Sequence, residues 1–346
     1  MAEKIEDERE VNYCFPYQSP SVDITEALCG RFFVGANPVK RGEDDITDTY
    51  LSKSLRIRRS GKDGLVELTG KTGDKAAVRV EKTDSITGSA ADSLGNALGQ
   101  LTVRKTRESF TLNGAAVDLV ITIDTVESPM KVKMAEIECD ESTFQRITAD
   151  TTLKRNTKSA WDYFKRKIGI AGGPSSGKTV KARAIANELS CNYDVRAEQI
   201  IEFVRTYIAR HGVPTFEMQP IIGAVQERME RDAAHNTVLV TDSPAFLSYI
   251  YAKYFMQGPL TGPRSFVLAQ MYSLGLASLG SYSDLLLLRP QTVKEDGIRA
   301  QDDAAALDLY RQIKGFMDSH NASYMLCDCM KNVGEIVEEI YNINKL

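Results

Sequence analysis

Gly172, Gly177, Lys178 and Thr179 stand in the spacing of a phosphate-binding loop, a glycine, four residues and then Gly-Lys-Thr. The whole loop reads Gly172-Gly173-Pro174-Ser175-Ser176-Gly177-Lys178-Thr179. Its flanks suit that chemistry. Lys167 to Ala171 is an apolar run of strand length, and Thr179 to Leu189 is a helical stretch with few breakers. A strand, a glycine-rich loop and a helix aim backbone N–H groups and a helix N-terminus at a phosphate chain. In that arrangement Lys178 reaches the β- and γ-phosphates and Thr179 holds Mg²⁺, so ATP and Mg²⁺ are the expected ligands.

Other residues in the second half could serve the same chemistry. Thr237-Val-Leu-Val-Thr-Asp242-Ser243-Pro244 is an apolar run that ends in an acid. An acid at the end of a neighbouring strand can organise Mg²⁺ or accept a proton; Asp or Ser before Pro also opens helices. Glu202 and Arg205 fall at the end of a candidate strand or in the turn after it, where they either contact substrate or form a surface ion pair. Arg299, in Asp296-Gly297-Ile298-Arg299, is placed to clamp a transferring phosphoryl group, or belongs to an ordinary Asp-Gly turn. Tyr207, Tyr249, Tyr251 and Tyr254 offer rings for stacking on a base or for core packing.

In the first half the charged residues sit two apart: Arg56 and Arg58, Arg79 and Glu81, Lys105 and Arg107, Lys131 and Lys133, Glu136 and Glu138. That spacing puts each pair on one face of a strand. Lys71 closes a further strand. A solvated outer face of an antiparallel sheet has this alternation. So has a lumen in which Arg56, Arg58, Lys71, Arg79, Lys105 and Arg107 face a polyphosphate, with Glu136 and Glu138 left to bind a metal ion.

The elements that must position these groups differ between the halves. From about 28 to 140, short alternating segments separated by Gly, Asp and Asn predict strands, beginning with Arg31-Phe-Phe-Val, and Ser85 to Leu101 reads as a short helix or loop. Residues 141–166 read as a polar helical connector. From 167 onward strands alternate with helices. The strands are expected at 167–171, 199–204, 237–241, 284–288 and 322–327, which implies a parallel sheet with crossover helices. The fold expected is an α+β N-terminal antiparallel β tunnel or barrel plus a C-terminal α/β P-loop NTPase domain with a five-stranded parallel sheet. The domains are expected at 1–150 and 151–346.

Composition sets the outer bounds. The chain has 346 residues, 42% apolar and 26% charged, with a formal net charge of −4, which argues against a wholesale polyanion binder. The first ten residues are too charged for a signal peptide, and no apolar run approaches the roughly 18 residues of a membrane span. Cysteines at 14, 29, 139, 191, 327 and 329 show no zinc-type pair of pairs, and Cys327-Asp328-Cys329 reads as structural. A cytoplasmic, reducing setting is expected, with no membrane partner.

Two resemblances follow from these residues. Residues 28–140 resemble the CYTH, or triphosphate tunnel, family through Arg31-Phe-Phe-Val, Thr49-Tyr50-Leu51, Leu55-Arg56-Ile57-Arg58, Leu68-Thr69-Gly70-Lys71, Val78-Arg79-Val80-Glu81, Arg104-Lys105-Thr106-Arg107, Ile123-Asp124 and Ala135-Glu136-Ile137-Glu138. The resemblance implies an eight-stranded antiparallel tunnel that binds or hydrolyses triphosphates with divalent metal. The family's first strand carries two Glu and a Lys at alternate positions. Counted from Phe-Phe-Val, those places hold Ala27, Cys29 and Arg31, while Glu6, Glu8 and Glu10 lie far upstream. Phosphate binding is therefore expected ahead of hydrolysis.

From 167 onward the chain is similar to the P-loop kinase domain of bacterial nicotinamide riboside kinase and the AAA-labelled ATPase/kinase group around it. The matching pieces are the P-loop, Glu202-Phe-Val-Arg205-Thr-Tyr-Ile, Thr-Asp242-Ser-Pro with Tyr-Ile-Tyr-Ala, and Glu295-Asp296-Gly297-Ile-Arg299. That resemblance implies ATP- and Mg²⁺-dependent phosphorylation of a nucleoside- or nucleotide-like acceptor. Two other readings stay open at this point: an enzyme acting on nucleic-acid 5′ ends, and a regulatory nucleotide-binding protein.

Overall fold

The computed structural model describes residues 9–72, 80–113, 119–158, 160–233, 238–256, 262–290, 303–328 and 330–344. The chain divides into two compact units. One is Met1–Lys165 with Cys191–Val195 and Glu338–Leu346, and the other is Arg166–Ser190 with Arg196–Val337.

The first unit contains β1 (Arg9–Pro16), α1 (Ser21–Phe32), β2 (Asn37–Ser52), β3 (Leu55–Ser60), β4 (Val66–Thr72), β5 (Val80–Ser85), α2 (Gly88–Leu98), β6 (Leu101–Asn113), β7 (Val120–Ser128), β8 (Val132–Cys139), α3 (Glu141–Ala149), β9 (Arg155–Asn156) and α4 (Ala160–Phe164). Its strands form one tunnel-like antiparallel sheet in the order β5-β4-β3-β2-β6-β7-β8-β1-β9. The resemblance implied eight strands; among the described residues the sheet has nine, the ninth being the two-residue β9.

Period-2 alternation sorts the side chains. Tyr13 and Phe15 of β1, Ile121 and Ile123 of β7 and Ala135 and Ile137 of β8 turn to one face and are at most 1% exposed. There they meet Ile24, Leu28 and Phe32 of α1 and Ile147 of α3 in a single cluster. Each large apolar side chain so buried contributes about 1.5–3 kcal/mol. A smaller cluster joins Leu51 and Ile57 to Ala91 of α2, whose N-cap Thr87 accepts a hydrogen bond from the Ala90 N–H.

Two expectations for this half are corrected. Arg31-Phe-Phe-Val is not a strand: Arg31 and Phe32 close α1, because Ile24, Leu28 and Phe32 recur every fourth residue and make a helical stripe toward the core. The first strand of the sheet lies upstream, in β1. Its Glu10 stands opposite Glu138 of β8, and its Asn12 opposite Glu136. The alternating acids ahead of the family's first-strand position therefore do enter the sheet at Glu10. Glu6 and Glu8 lie outside the described residues.

The second unit contains β10 (Lys167–Gly172), α5 (Lys178–Asn192), β11 (Ala197–Ile200), α6 (Phe203–His211), a 3-10 turn (Phe216–Met218), α7 (Gln219–Asp232), β12 (Val238–Thr241), α8 (Leu247–Phe255), α9 (Pro263–Leu279), β13 (Asp284–Leu288), α10 (Asp303–Ser319), β14 (Met325–Cys327) and α11 (Val333–Ile340). Five parallel strands run in the order β11-β12-β10-β13-β14. Helices cover both faces of such a sheet, so its central strands read as continuous apolar runs. Ile168 and Ile170 of β10 and Leu286 to Leu288 of β13 are fully buried. The second predicted strand is shorter than expected, since Phe203 already belongs to α6. Tyr249, Tyr251 and Tyr254 pack against the cluster around Phe246 and Phe316. The strands are aligned so that the loop after β10, Glu202 after β11 and Asp242 after β12 all lie at their carboxyl ends, the ligand edge of an open α/β sheet.

Candidate functional site

The loop after β10 needs a backbone that ordinary residues avoid. Gly177 has φ +82° and Ser175 φ +59°. A Cβ on Gly173 would stand 2.6 Å from the Ala306 carbonyl oxygen in α10, and one on Gly172 would stand 2.8 Å from the Leu288 carbonyl. Gly173→Ala must therefore push α10 off the loop. The expected outcome is a loss of about 1–3 kcal/mol in stability together with weakened nucleotide binding, read by thermal melts and ATP titration.

The loop is closed by its own side chains. The Lys178 ammonium donates to the Gly172 carbonyl at 2.9 Å and the Gly173 carbonyl at 2.8 Å, and the residue is 8% exposed. Ser176 Oγ donates to the Gly173 carbonyl at 2.8 Å. Pro174 lines the adjoining cleft beside Ser175 and Lys178. Helix α5 starts at Lys178, so its free N–H groups and positive dipole end address the loop.

Asp242, directly after β12, is fully buried, and neither carboxylate oxygen has a hydrogen-bond partner. Thr179 Oγ1 is likewise buried without one. Burial pushes the Asp242 carboxyl up from its ordinary range; the nearby Thr179 hydroxyl works against that shift, and the Glu202 charge adds to it. An uncompensated buried carboxylate is among the costliest groups a fold can carry. A hard dication with phosphate and water as its other ligands suits this hydroxyl–carboxylate pair. The donor set therefore fits Mg²⁺.

Glu202 occupies the N-cap position of α6 without capping it. Its Oε2 accepts from Arg205 Nε at 3.1 Å, and its Oε1 accepts from Ser243 Oγ at 3.4 Å. The ion pair foreseen for Glu202 and Arg205 is thus present, and it lines a cleft with Lys178 and Ser243. The fold brings together Lys178, Thr179, Glu202, Arg205 and Asp242. Arg299 lies outside the described residues.

A buried network on α7, not foreseen from sequence, ties down the two acid-bearing loops. Gln226 Oε1 accepts from the Phe203 N–H at 3.0 Å, and its Nε2 donates to Thr241 Oγ1 at 3.3 Å. One turn on, Glu230 accepts from Lys167 Nζ and from the Tyr282 hydroxyl, each at 2.7 Å. The Ala245 N–H donates to that same hydroxyl at 2.9 Å. The available signal was a Gln and a Glu four apart on a helix with an apolar neighbourhood, but their partners come from three other elements.

In the first unit the register places Arg56 and Arg58 of β3, Lys71 of β4, Lys105 and Arg107 of β6, Asp124 of β7, and Glu136 and Glu138 of β8 on one face of the sheet. Arg79 lies outside the described residues. These cations face carboxylates. Arg58 makes a two-pronged contact with Asp48 at 2.8 and 2.9 Å, and Arg107 makes one with Asp124 at 2.7 and 2.8 Å. Lys105 Nζ is 2.5 Å from Asp124 and 3.7 Å from Asp48, Arg56 is 3.7 Å from Asp48, and Arg107 also reaches Glu136 at 3.2 Å.

Asp48, missed in the sequence, is the hub of one half of this array; it sits between two Thr residues and carries no motif. Burial alone would raise its carboxyl, but the Arg58 hydrogen bonds and the Lys105 and Arg56 charges outweigh burial and hold it well below the usual range. For Asp124, burial is likewise outweighed by Lys105 and Arg107, which hold its carboxyl at about 2. Among the described residues, no group of three or more His, Cys, Asp or Glu is gathered as a metal-ligand set.

The sign of the pH effect follows from the depressed folded-state value. The Asp124 contribution is complete above its unfolded value, ~3.9, and disappears as the pH falls toward about 2. Asp124→Asn leaves two cations under-compensated. It is expected to cost about 3 kcal/mol at neutral pH, with the gap to wild type closing below pH ~4, as checked by urea unfolding across that range.

Residues 167–329 match the family model described as an AAA domain. No curated protein matches the chain. Among solved structures, the chain is similar to a conserved hypothetical protein from Pyrococcus furiosus, at 20% identity over 41% of this chain and 86% of that one, with a TM-score of 0.31. It is similar to an inorganic triphosphatase at 18% identity, over 42% and 81% of the two chains, with a TM-score of 0.26. It is also similar to a NadR protein in complex with NR, at 15% identity over 54% of each chain, with a TM-score of 0.41. Among the described residues, no helix is long and apolar enough to cross a membrane.

Proposed function

We propose that the second unit transfers the γ-phosphoryl group of ATP to a hydroxyl of a nucleoside- or nucleotide-like acceptor. The observation that carries this reading is the buried, unpartnered Asp242 carboxylate beside the unpartnered Thr179 hydroxyl, both next to a P-loop. Thr179 and Asp242 are the residues that would hold Mg²⁺, which when bound supplies neutralising charge to the phosphates. The loop N–H groups and the α5 N-terminus bind and orient the phosphate chain. Lys178 turns its ammonium from the loop carbonyls toward the transferring group.

Glu202, held between Arg205 and Ser243, accepts the acceptor's hydroxyl proton. The acceptor oxygen bonds to the γ-phosphorus as the bond to the β–γ bridging oxygen breaks, and ADP carries the negative charge away. Arg205 keeps the Glu202 carboxylate aimed at the cleft. Catalysis of this kind is positioning and electrostatics rather than covalent chemistry.

For the first unit the proposed role is polyphosphate binding on the charged face, with the division of labour falling near residue 150. Arg58 and Arg107 each spend Nε and one Nη on an aspartate, so an anion shares those cations with Asp48 and Asp124. Glu136 and Glu138 remain as proposed metal contacts. Calorimetric titration with tripolyphosphate at two salt concentrations tests this role; absence of heat at both ends it.

The test of the main reading is transfer from γ-labelled ATP to nucleosides (nicotinamide riboside among them), nucleotides and 5′-hydroxyl oligonucleotides, with Mg²⁺. Label in a small acceptor supports the reading. Label only in oligonucleotides replaces it with an enzyme of nucleic-acid ends. ATP bound without any transfer replaces it with a regulatory nucleotide switch.

A further inference from the structure

The cleft beside the P-loop is lined by a polar side chain that has no protein partner among the described residues. Gln219, the first residue of α7, is 3% exposed and lines the cleft, and among the described residues its side-chain amide makes no hydrogen bond. Its amide atoms are not among the fully enclosed ones, so the amide opens to the cleft, where a ligand atom can take the place of water as its partner. The apolar part of the cleft lining includes Ile208, Val213, Ile222 and Phe255.

Helix geometry sets the scale. Gln226 lies on the same helix and bonds the loops that carry Glu202 and Asp242. Seven residues at 1.5 Å each separate it from Gln219, a span of about 10 Å. A molecule with its reacting hydroxyl near Glu202 and its far edge at Gln219 has the length of a nucleoside. Such a ligand presents a flat apolar ring to the cleft wall and a polar edge at its end. A primary amide offers one donor and one acceptor side by side and pairs with a ring edge that offers the reverse.

We infer that Gln219 is the specificity-determining residue of the acceptor cleft, reading a donor–acceptor edge on the ring of a nucleoside. The inference rests on the reading of this cleft as the acceptor site. Loss of that edge contact leaves the phosphate machinery intact, because among the described residues Gln219 makes no hydrogen bond to it.

The experiment is calorimetric binding of uridine, cytidine, adenosine, inosine, nicotinamide riboside and free ribose to wild type, Gln219→Ala and Gln219→Glu, with label transfer measured in parallel. The expected result is that wild type prefers at least one nucleoside to ribose. Gln219→Ala then weakens that nucleoside roughly 10- to 100-fold and leaves ribose and ATP binding unchanged. Gln219→Glu keeps the packing but replaces the NH₂ donor with an acceptor, so it also loses that preference. It carries the test if the alanine variant does not fold.

Equal nucleoside affinity in wild type and variants overturns the inference. So does an equal loss for ribose, which marks a merely structural role, and so does a wild type that binds no nucleoside. Nucleoside binding that depends on Gln219 without any label transfer upholds Gln219 as the reader and refutes the phosphotransfer reading instead.

Discussion

Lys178→Ala is expected to lower acceptor-dependent ATP turnover by at least about 10³-fold, equivalent to some 4 kcal/mol of transition-state stabilisation, while the protein stays folded. The reason lies in where the ammonium sits. It is held by two loop carbonyls at 2.8 and 2.9 Å, so the charge is stored at the phosphate site before any ligand arrives. Its removal takes away the preorganised cation and also leaves the Gly172 and Gly173 carbonyls without that donor. That second effect is modest, about 1–2 kcal/mol, because each lost hydrogen bond to a buried carbonyl costs on that order. Turnover from γ-labelled ATP and a thermal melt, measured on the same preparation, separate the two. Wild-type turnover in the variant would remove the P-loop from the mechanism.

Asp242→Asn is expected to combine opposite effects. Turnover falls by roughly 10²- to 10⁴-fold, because the acid is required for metal-assisted phosphoryl transfer. Stability without Mg²⁺ rises instead. The folded-state value of Asp242 is raised by burial, so the contribution of its protonated form is complete below ~3.9 and is lost as pH rises through the folded value. At neutral pH the ionised carboxylate is a net cost, which a neutral amide of the same shape removes. The wild-type protein should therefore melt lower than Asp242→Asn in metal-free buffer at pH 7, with the gap closing toward pH 4. Millimolar Mg²⁺ with ATP should raise the wild-type melting temperature and leave the variant's nearly unchanged. A variant that melts lower than wild type in metal-free buffer, or gains as much from Mg²⁺, would show that Asp242 is a structural acid.

The amino-acid sequence by itself determined the parts that are local in the chain. The P-loop spacing, the apolar run before it and the helix after it lie within consecutive residues, and their backbone conformations follow from Gly177, Lys178 and the helix formers beyond. The five parallel strands were readable because strands buried on both faces leave unbroken apolar runs such as Leu285 to Leu288. Period-2 spacing put Arg56 with Arg58 and Lys105 with Arg107 on common strand faces, since alternation is a property of the extended backbone alone.

Tertiary structure decided what depends on partners far apart in sequence. Arg31-Phe-Phe-Val resembled a strand locally, and only the packing of Ile24, Leu28 and Phe32 against β1, β7 and β8 made it the end of a helix. Register between β1 and β8, set by pairing over more than a hundred residues, brought Glu10 opposite Glu138. The basic residues were visible in the chain, but their pairing with Asp48 and Asp124 was not, because a carboxylate's partner is chosen by the neighbouring strand rather than by the neighbouring residue. Gln219, Gln226 and Glu230 are ordinary polar residues of an ordinary helix until α6, β10, β12 and α8 close around them. Burial then gives them their roles, because a polar group withdrawn from water must find a partner in the protein or in a ligand.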